Sequence, residues 1–261
     1  MNIKDIQKHG KTIEDYLRLQ TYCLGIKLLK NESEIPEEAL RPLKDFGHHL
    51  SQCQSFARSR REGLSIAQFK DDHWCFEPVI GYGLEKIPGR FFEAPHRYPG
   101  AAKTKEAAQT WARNFPRLEY GLYEGIVSAP LTSVTFEPDL VMLYCIPEQL
   151  TELMTVVNWI DGKDIYPVLS GHSACVYSIV PVIHNGTFHV TVPCLGDRKR
   201  AMAQNNEMIF SFPLNKIKDL TDGLIGLKKE GDGLPVRFCA MPEYKMSEGY
   251  EEMGKMLGLE I

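Results

Sequence analysis

The stretch Gly125–Ile160, "GIVSAPLTSVTFEPDLVMLYCIPEQLTELMTVVNWI", decides how this chain is read. Inside it, Asp139–Ile146, "DLVMLYCI", is a continuous apolar run, as in a strand buried on both faces. Pro147 and Glu148 follow at once. Proline suits the first helical turn, and an acid suits the positive end of a helix. Leu150, Leu153, Met154, Val157 and Ile160 then recur at helical spacing. A buried strand therefore runs directly into a helix.

Working outward, the same alternation continues. On the N-terminal side the spacing predicts an amphipathic helix over 3–20 and a strand over Leu24–Leu29. A helix over 46–61 follows, stopped by Gly63, then a strand over 64–69 and a loop holding Cys75. On the C-terminal side a helix is expected over Ser170–Ile183, ending at "HNG". Then come a strand "TFHVTV", the loop "PCLGDRKR", a strand "MIFSFP", an amphipathic helix "LNKIKDLTDGLIGL" and a strand "VRFCAMP". Residues 88–118 are rich in proline, glycine and charge, with one helical run, "TKEAAQTWARNF", and read as a lid or insertion. The expected class is α/β or α+β, with mixed sheets and packed helices.

The 261 residues fit one large domain or two small ones, and the 43% hydrophobic and 25% charged fractions are those of a soluble globular protein. A formal net charge of −4 argues against nucleic acid as a partner. The N-terminus has no apolar core of a signal peptide, and nothing approaches the roughly 18 apolar residues of a membrane span. A cytoplasmic protein is expected, with no membrane partner and room for homo-oligomers. In such a reducing setting the seven cysteines (23, 53, 75, 145, 175, 194, 239) are buried apolar residues, metal ligands or reactive thiols rather than disulfides. Cys23, Cys145 and Cys239 sit in apolar runs and read as packing.

The chain also repeats an order of events. A strand (Leu24–Leu29) leads to "IPEE", a helix carrying Cys53, a stop at Gly63, a strand, and Cys75 in a loop. A second strand (Leu140–Ile146) leads to "IPEQ", a helix carrying Cys175, a stop at Gly186, a strand, and Cys194 in a loop. This divides the chain into halves, 1–120 and 121–261, within one globular unit. An internal duplication is expected, with two strand–helix–strand units about a pseudo-twofold axis. Equivalent loops would then meet, and four cysteines would converge.

The segments "CQSFARSRREG", "HWCFEPVIGYGL", "VSAPLTSVTFEPDLVMLYCIPEQLTEL", "SGHSACV" and "VPCLGDR" resemble the prokaryotic family called domain of unknown function 169, the uncharacterised ArCR proteins, over residues 12 to 225. The resemblance implies family cysteines at positions 53, 75, 175 and 194, with a Gly-x-Arg loop after the last. It implies no settled activity. Asp197 departs from the small residue more usual in that loop.

Cys53, Cys75, Cys175 and Cys194 satisfy the count for a four-thiolate site, either an iron–sulfur cluster or a structural zinc. Neither pair is a C-x-x-C, so the spacing alone does not choose, and buried or redox thiols stay open. Cations follow two of the cysteines: Arg58, Arg60 and Arg61 after Cys53, and Arg198, Lys199 and Arg200 after Cys194. Arg58 and Arg198 are the candidate cofactor-binding residues, set to tune a negative cluster or hold an anionic substrate. The simpler fate of such a run is a solvated helix end. His48, His49, His73 and His172 lie near cysteines and are candidate acid–base groups, whereas His184 and His189 flank a turn. Glu77 and Glu148 have no evident partner.

The expected function is a four-cysteine iron–sulfur protein in redox or Lewis-acid chemistry on a small anionic molecule, an oxidoreductase or lyase, with an electron-transfer protein as a further partner. The alternatives are a non-catalytic small-anion-binding module and a zinc-stapled structural protein.

Overall fold

The computed structural model describes residues 1–231, 233–235 and 246–259. In chain order it contains helix α1 (Ile3–Leu17), strand β1 (Leu24–Leu29), α2 (Gln52–Glu62), β2 (Ile66–Phe69), α3 (Phe76–Gly81), α4 (Lys105–Asn114) and β3 (Gly125–Pro130). There follow β4 (Leu140–Cys145), α5 (Pro147–Asp161), α6 (Ala174–Tyr177), α7 (Val180–Asn185), β5 (His189–Thr191), α8 (Leu195–Arg200), β6 (Met208–Pro213), α9 (Ile217–Glu230) and α10 (Glu248–Met256). The strand expected around Cys239 lies outside the described residues. Among the described residues, no helix is long and apolar enough to cross a membrane.

Helices and one six-stranded sheet give an α/β or α+β fold, with strand order β2-β3-β1-β4-β6-β5. Every pairing between these six strands is antiparallel, where mixed sheets were expected, and the parallel contacts among the described residues are isolated bridges, Leu40–Ile66 and Leu50–His73. Short hydrogen-bonded ladders from both halves meet where β1 pairs β4, through Leu24–Met142, Gly25–Val141 and Ile26–Leu140. From either edge inward the strands are the second, third and first of their set of three. Strand order is a statement of topology and not of ancestry. β3, which falls in residues 121–261, sits between β1 and β2, so the exchange between sets falls after Pro130.

Alternation along β4 explains its uninterrupted apolar character. Val141, Leu143 and Cys145 face one layer, with α1, α5 and α9 through residues such as Ile13, Val156 and Leu224. Leu140, Met142 and Tyr144 face the other, with Phe56 of α2, Ile80 of α3, Ala108 of α4 and Val176 of α6. A strand with both faces covered has no solvent side on which to carry polar residues. Cys23 and Cys145 pack in the first layer as free thiols.

Helix boundaries follow their local signals. Asn2 and Asp5 form a reciprocal capping box at the start of α1. Ser51 and Gln54 do the same for α2, which ends on Gly63 at φ 78°. The single helix expected over Ser170–Ile183 is instead two short helices, α6 and α7. Pro181 lies in the first turn of α7; it has no N–H to donate to the preceding turn, and the chain breaks there. Residues 88–118 are not a detached insertion. They pack Phe91, Ala108, Ala112 and Phe115 into the second layer.

Candidate functional site

Cys53 and Cys75 are brought together by local pairing. Leu50 and His73 form a parallel bridge: the Leu50 N–H donates to the Asp72 carbonyl at 3.1 Å, and the Trp74 N–H donates to the Leu50 carbonyl at 3.4 Å. Cys53 then lies in the first turn of α2, three residues past that bridge, and Cys75 caps the N-terminus of α3, two residues past it. The indole N–H of Trp74 reinforces the junction by donating to Gln54 Oε1 at 2.9 Å.

Cys175 is fixed from the opposite side. Its carbonyl accepts from the Tyr82 hydroxyl at 2.9 Å and the Ser178 hydroxyl at 3.1 Å. Gly81 lets α3 approach α6 closely: a Cβ on Gly81 would stand 2.6 Å from a Val176 methyl. Cys194 is the N-cap of α8, where its Sγ accepts from the Asp197 N–H at 3.4 Å. α8 rests on α2 through Ala201, packed with Cys53 and Ala57. It is tied to the sheet by the Tyr144 hydroxyl, which donates to Asp197 Oδ2 at 2.8 Å.

All four cysteines line one cavity of about 140 Å³, together with Gln52, Glu77, Ser173 and Arg200. Each thiol comes from a different segment, and all four are free. Burial pushes the Cys53 thiol up to about 12, with the Asp197 carboxylate adding to it. Burial, then the Glu77 carboxylate, pushes Cys75 up to about 11. Cys175, the most enclosed, is raised well above the ordinary thiol range, first by burial and then by the other three sulfurs. These three sulfurs are thus protonated at neutral pH, and a metal centre would have to displace their protons. Among the described residues, no group of three or more His, Cys, Asp or Glu side chains is placed to hold a metal ion. The thiols stand around the wall of the cavity rather than closing on one point.

The acids respond to the same burial. Asp197 is pushed up to about 6 by burial, against the opposing Tyr144 hydrogen bond and Arg60 charge. Glu77 is raised by burial, with the Ser173 hydroxyl facing it first and then the Arg97 and Arg200 charges pulling the other way.

The cations at the cavity are not the two expected. Arg58 pairs with Glu62 at 3.0 Å and stacks 4.1 Å from the centre of the Phe46 ring, on the face of α2 away from Cys53. Arg198 turns to the Gln204 carbonyl. Neither lines the cavity. Arg200 does, stacked 4.6 Å over Trp74. Arg60, two turns past Cys53, is fully buried behind the site, forked onto Glu207 at 2.6 and 3.0 Å and stacked 3.8 Å over the Tyr144 ring.

The histidines divide similarly. His172 lines the cavity, and His73 is buried behind it, lowered by burial to about 4. His48 and His49 are exposed, as is His184. His189 is buried in β5. Gln52 and Ser173 had no signal as single residues in the sequence, although the Ser51-x-x-Gln54 box beside Gln52 was legible as a helix start.

The family model described as "Uncharacterised ArCR", domain of unknown function 169, matches residues 12–223. The uncharacterized protein MJ0308 of Methanocaldococcus jannaschii is 25% identical over 227 residues, covering 86% of this chain and 95% of the relative. No solved structure matches. The matched span contains all six strands and all four cavity cysteines, and the chain belongs to the family of uncharacterised ArCR proteins.

Proposed function

We propose that Cys53, Cys75, Cys175 and Cys194 hold an iron–sulfur cluster, and that the protein uses it in redox or Lewis-acid chemistry on a small molecule, as an oxidoreductase or a lyase. One observation carries this reading: four unpaired thiols from four separate segments line a single cavity. Cysteines serving only as small apolar filler pack against neighbours, as Cys23 and Cys145 do, and leave no common void.

The donor set fits. Four thiolates suit soft iron in a cluster. Zinc with its bonds of about 2.3 Å would draw four sulfurs tightly around one point. Side chains spaced around a cavity wall suit a polyatomic centre better. When bound, the cluster supplies an electron acceptor or an iron Lewis acid. The chain's own residues do the rest. The Asp197 amide donates to Cys194 Sγ, and the Ser51 hydroxyl lies 3.1 Å from Cys53 Sγ, so both stabilise negative charge on sulfur. Arg200 adds a cation at the wall, and Glu77 and His172 are groups that can hold or release a proton there. A reducing, cytoplasmic setting keeps the thiols free. Electrons would be exchanged with a carrier protein.

A non-catalytic binding module is the second reading. The buried Gln52 Oε1 on the cavity wall lacks a hydrogen-bond partner, and a bound molecule would satisfy it without chemistry.

The test is anaerobic purification from iron-replete cells. Iron and acid-labile sulfide in near-equal amounts, with broad visible absorption, support the cluster. Single Cys→Ala changes at the four positions should each remove most of the iron, while Cys23→Ala and Cys145→Ala should not. Stoichiometric zinc without sulfide would establish a staple instead. Colourless, metal-free protein would leave the binding module.

A further inference from the structure

Arg97 lies in the segment leading to α4 and is 6% exposed. Among the described residues its guanidinium makes no hydrogen bond and no ion pair. Its Nε is buried without a partner. What holds it is the Trp111 indole, 4.0 Å from Arg97 Cζ to the ring centre. Arginine carries five N–H donors and no acceptor, and its charge is rarely buried unpaired. The other buried arginine among the described residues follows that rule. Arg60 is forked onto Glu207, and Arg41, also partly covered, is paired with Asp72 at 2.7 Å.

The indole beside Arg97 shows the same deficit. Trp111 Nε1, which can only donate, is buried without an acceptor. Ser173 is 2% exposed, and its hydroxyl faces the Glu77 carboxylate. Ser173 stands at φ 52°, a left-handed backbone that a serine adopts only when its surroundings impose it. His172 packs edge-on against Trp111, with ring centres 6.4 Å apart. His172 and Ser173 are on the cavity wall, so this group adjoins the cysteine cavity. Burial first, and then the Arg97 charge, holds the His172 imidazole below its ordinary range. The unsatisfied atoms on Arg97 and Trp111 are donors only. The Glu77 charge acts on Arg97 without closing an ion pair with it, so the missing component is an acceptor within bonding distance that carries negative charge.

We infer that Arg97, with Trp111, forms a binding subsite for the carboxylate of a small organic acid beside the cysteine cavity. The planar fork of one arginine matches the two oxygens of a carboxylate. Glu77 lies on the same wall, and its charge disfavours a dianion such as phosphate more than a monoanion. The inference deepens the proposed function by naming the substrate class, but the donors are supplied by the chain itself and do not depend on the cluster.

The test is calorimetric titration of the anaerobically purified full chain with acetate, acetamide and inorganic phosphate. Iron and sulfide are assayed in the same samples. Acetate should bind saturably, acetamide should bind at least about tenfold more weakly, and phosphate should bind more weakly than acetate. Arg97→Met should weaken acetate at least about tenfold while leaving iron content unchanged. Removing an unpaired buried charge should also raise the melting temperature of the ligand-free protein, an effect a purely structural arginine would not produce. Should Arg97→Met not fold, Arg97→Lys keeps the charge without the fork and should weaken acetate several-fold. Equal acetate binding by wild type and variant, no saturable binding of acetate, or a preference for phosphate or acetamide would each overturn the assignment. Iron-free protein that still binds acetate through Arg97 would refute the cluster and leave this subsite standing.

Discussion

Arg60 links the two sides of the protein. Its guanidinium grips Glu207 and covers the Tyr144 ring, the Tyr144 hydroxyl holds Asp197, and the Asp197 amide reaches Cys194 Sγ. Arg60→Met strips Glu207 of its forked partner, leaving only Arg61 at 3.9 Å, and should cost about 3–5 kcal/mol in denaturant unfolding. Arg60→Met combined with Glu207→Leu should recover most of that loss, because removing both charges leaves neither stranded. Unequal recovery would mean that the pair is not the main role of Arg60. Tyr144→Phe strips a buried acid of its donor and should cost about 1–3 kcal/mol, with Cys194 displaced enough to lower iron content. Closeness in the chain selected Arg58 and Arg198 as the cations of the site. Geometry selects others. Five residues along a helix is about 140° around its axis, and seven is nearly two full turns. Arg60 therefore shares the buried face of Cys53, while Arg58 points away.

At the scale of elements, the join between α3 and α6 sets the distance between Cys75 and Cys175. Gly81→Ala would put a methyl within 2.7 Å of both Val176 methyls, so the helices must part. A loss of about 1–3 kcal/mol in stability and a weaker hold on iron are expected. Adding Val176→Ala should restore both, and iron content with melting temperature checks the pair. The bridge at Leu50 and His73 carries its own pH signature. His73 is lowered to about 4 from 6.5 because it is buried. The unfolded chain then binds more protons than the native one between those values. The contribution, about 3 kcal/mol at most, is fully present above the unfolded value and is lost as pH falls from 6.5 towards 4. Urea unfolding of wild type and His73→Asn across that range should show the gap between them narrowing with acid; parallel curves would exclude the histidine as the cause. The elements themselves were largely legible. β1, β4, β6, α1, α5 and α9 announce themselves by periodicity and caps. The break between α6 and α7 was also encoded, by Pro181, but the apolar run around it read as continuous.

Across the whole molecule, two of the cavity cysteines come from residues before β3 and two from residues after β4, so a shared centre would staple both sides of the sheet. On the proposed function, removing the cluster anaerobically with a chelator and oxidant should lower the melting temperature by several degrees. Hydrogen exchange should rise first at 50–53, 72–77, 171–176 and 194–197, while β1, β4 and β6 stay protected. Unchanged protection in those loops would count against the four cysteines as ligands. By itself the sequence determined most of the strands and long helices, and set Cys53 and Cys175 apart on helices from Cys75 and Cys194 at turns. Those properties depend on neighbours a few residues apart, through periodicity, capping and turn chemistry. Only the tertiary structure decided that the six strands pair antiparallel, that four distant thiols share one cavity, and that Arg200 lines it while Arg58 and Arg198 do not. Strand partners and helix phase are set by packing between segments far apart in the chain, where local pattern carries no information about who meets whom.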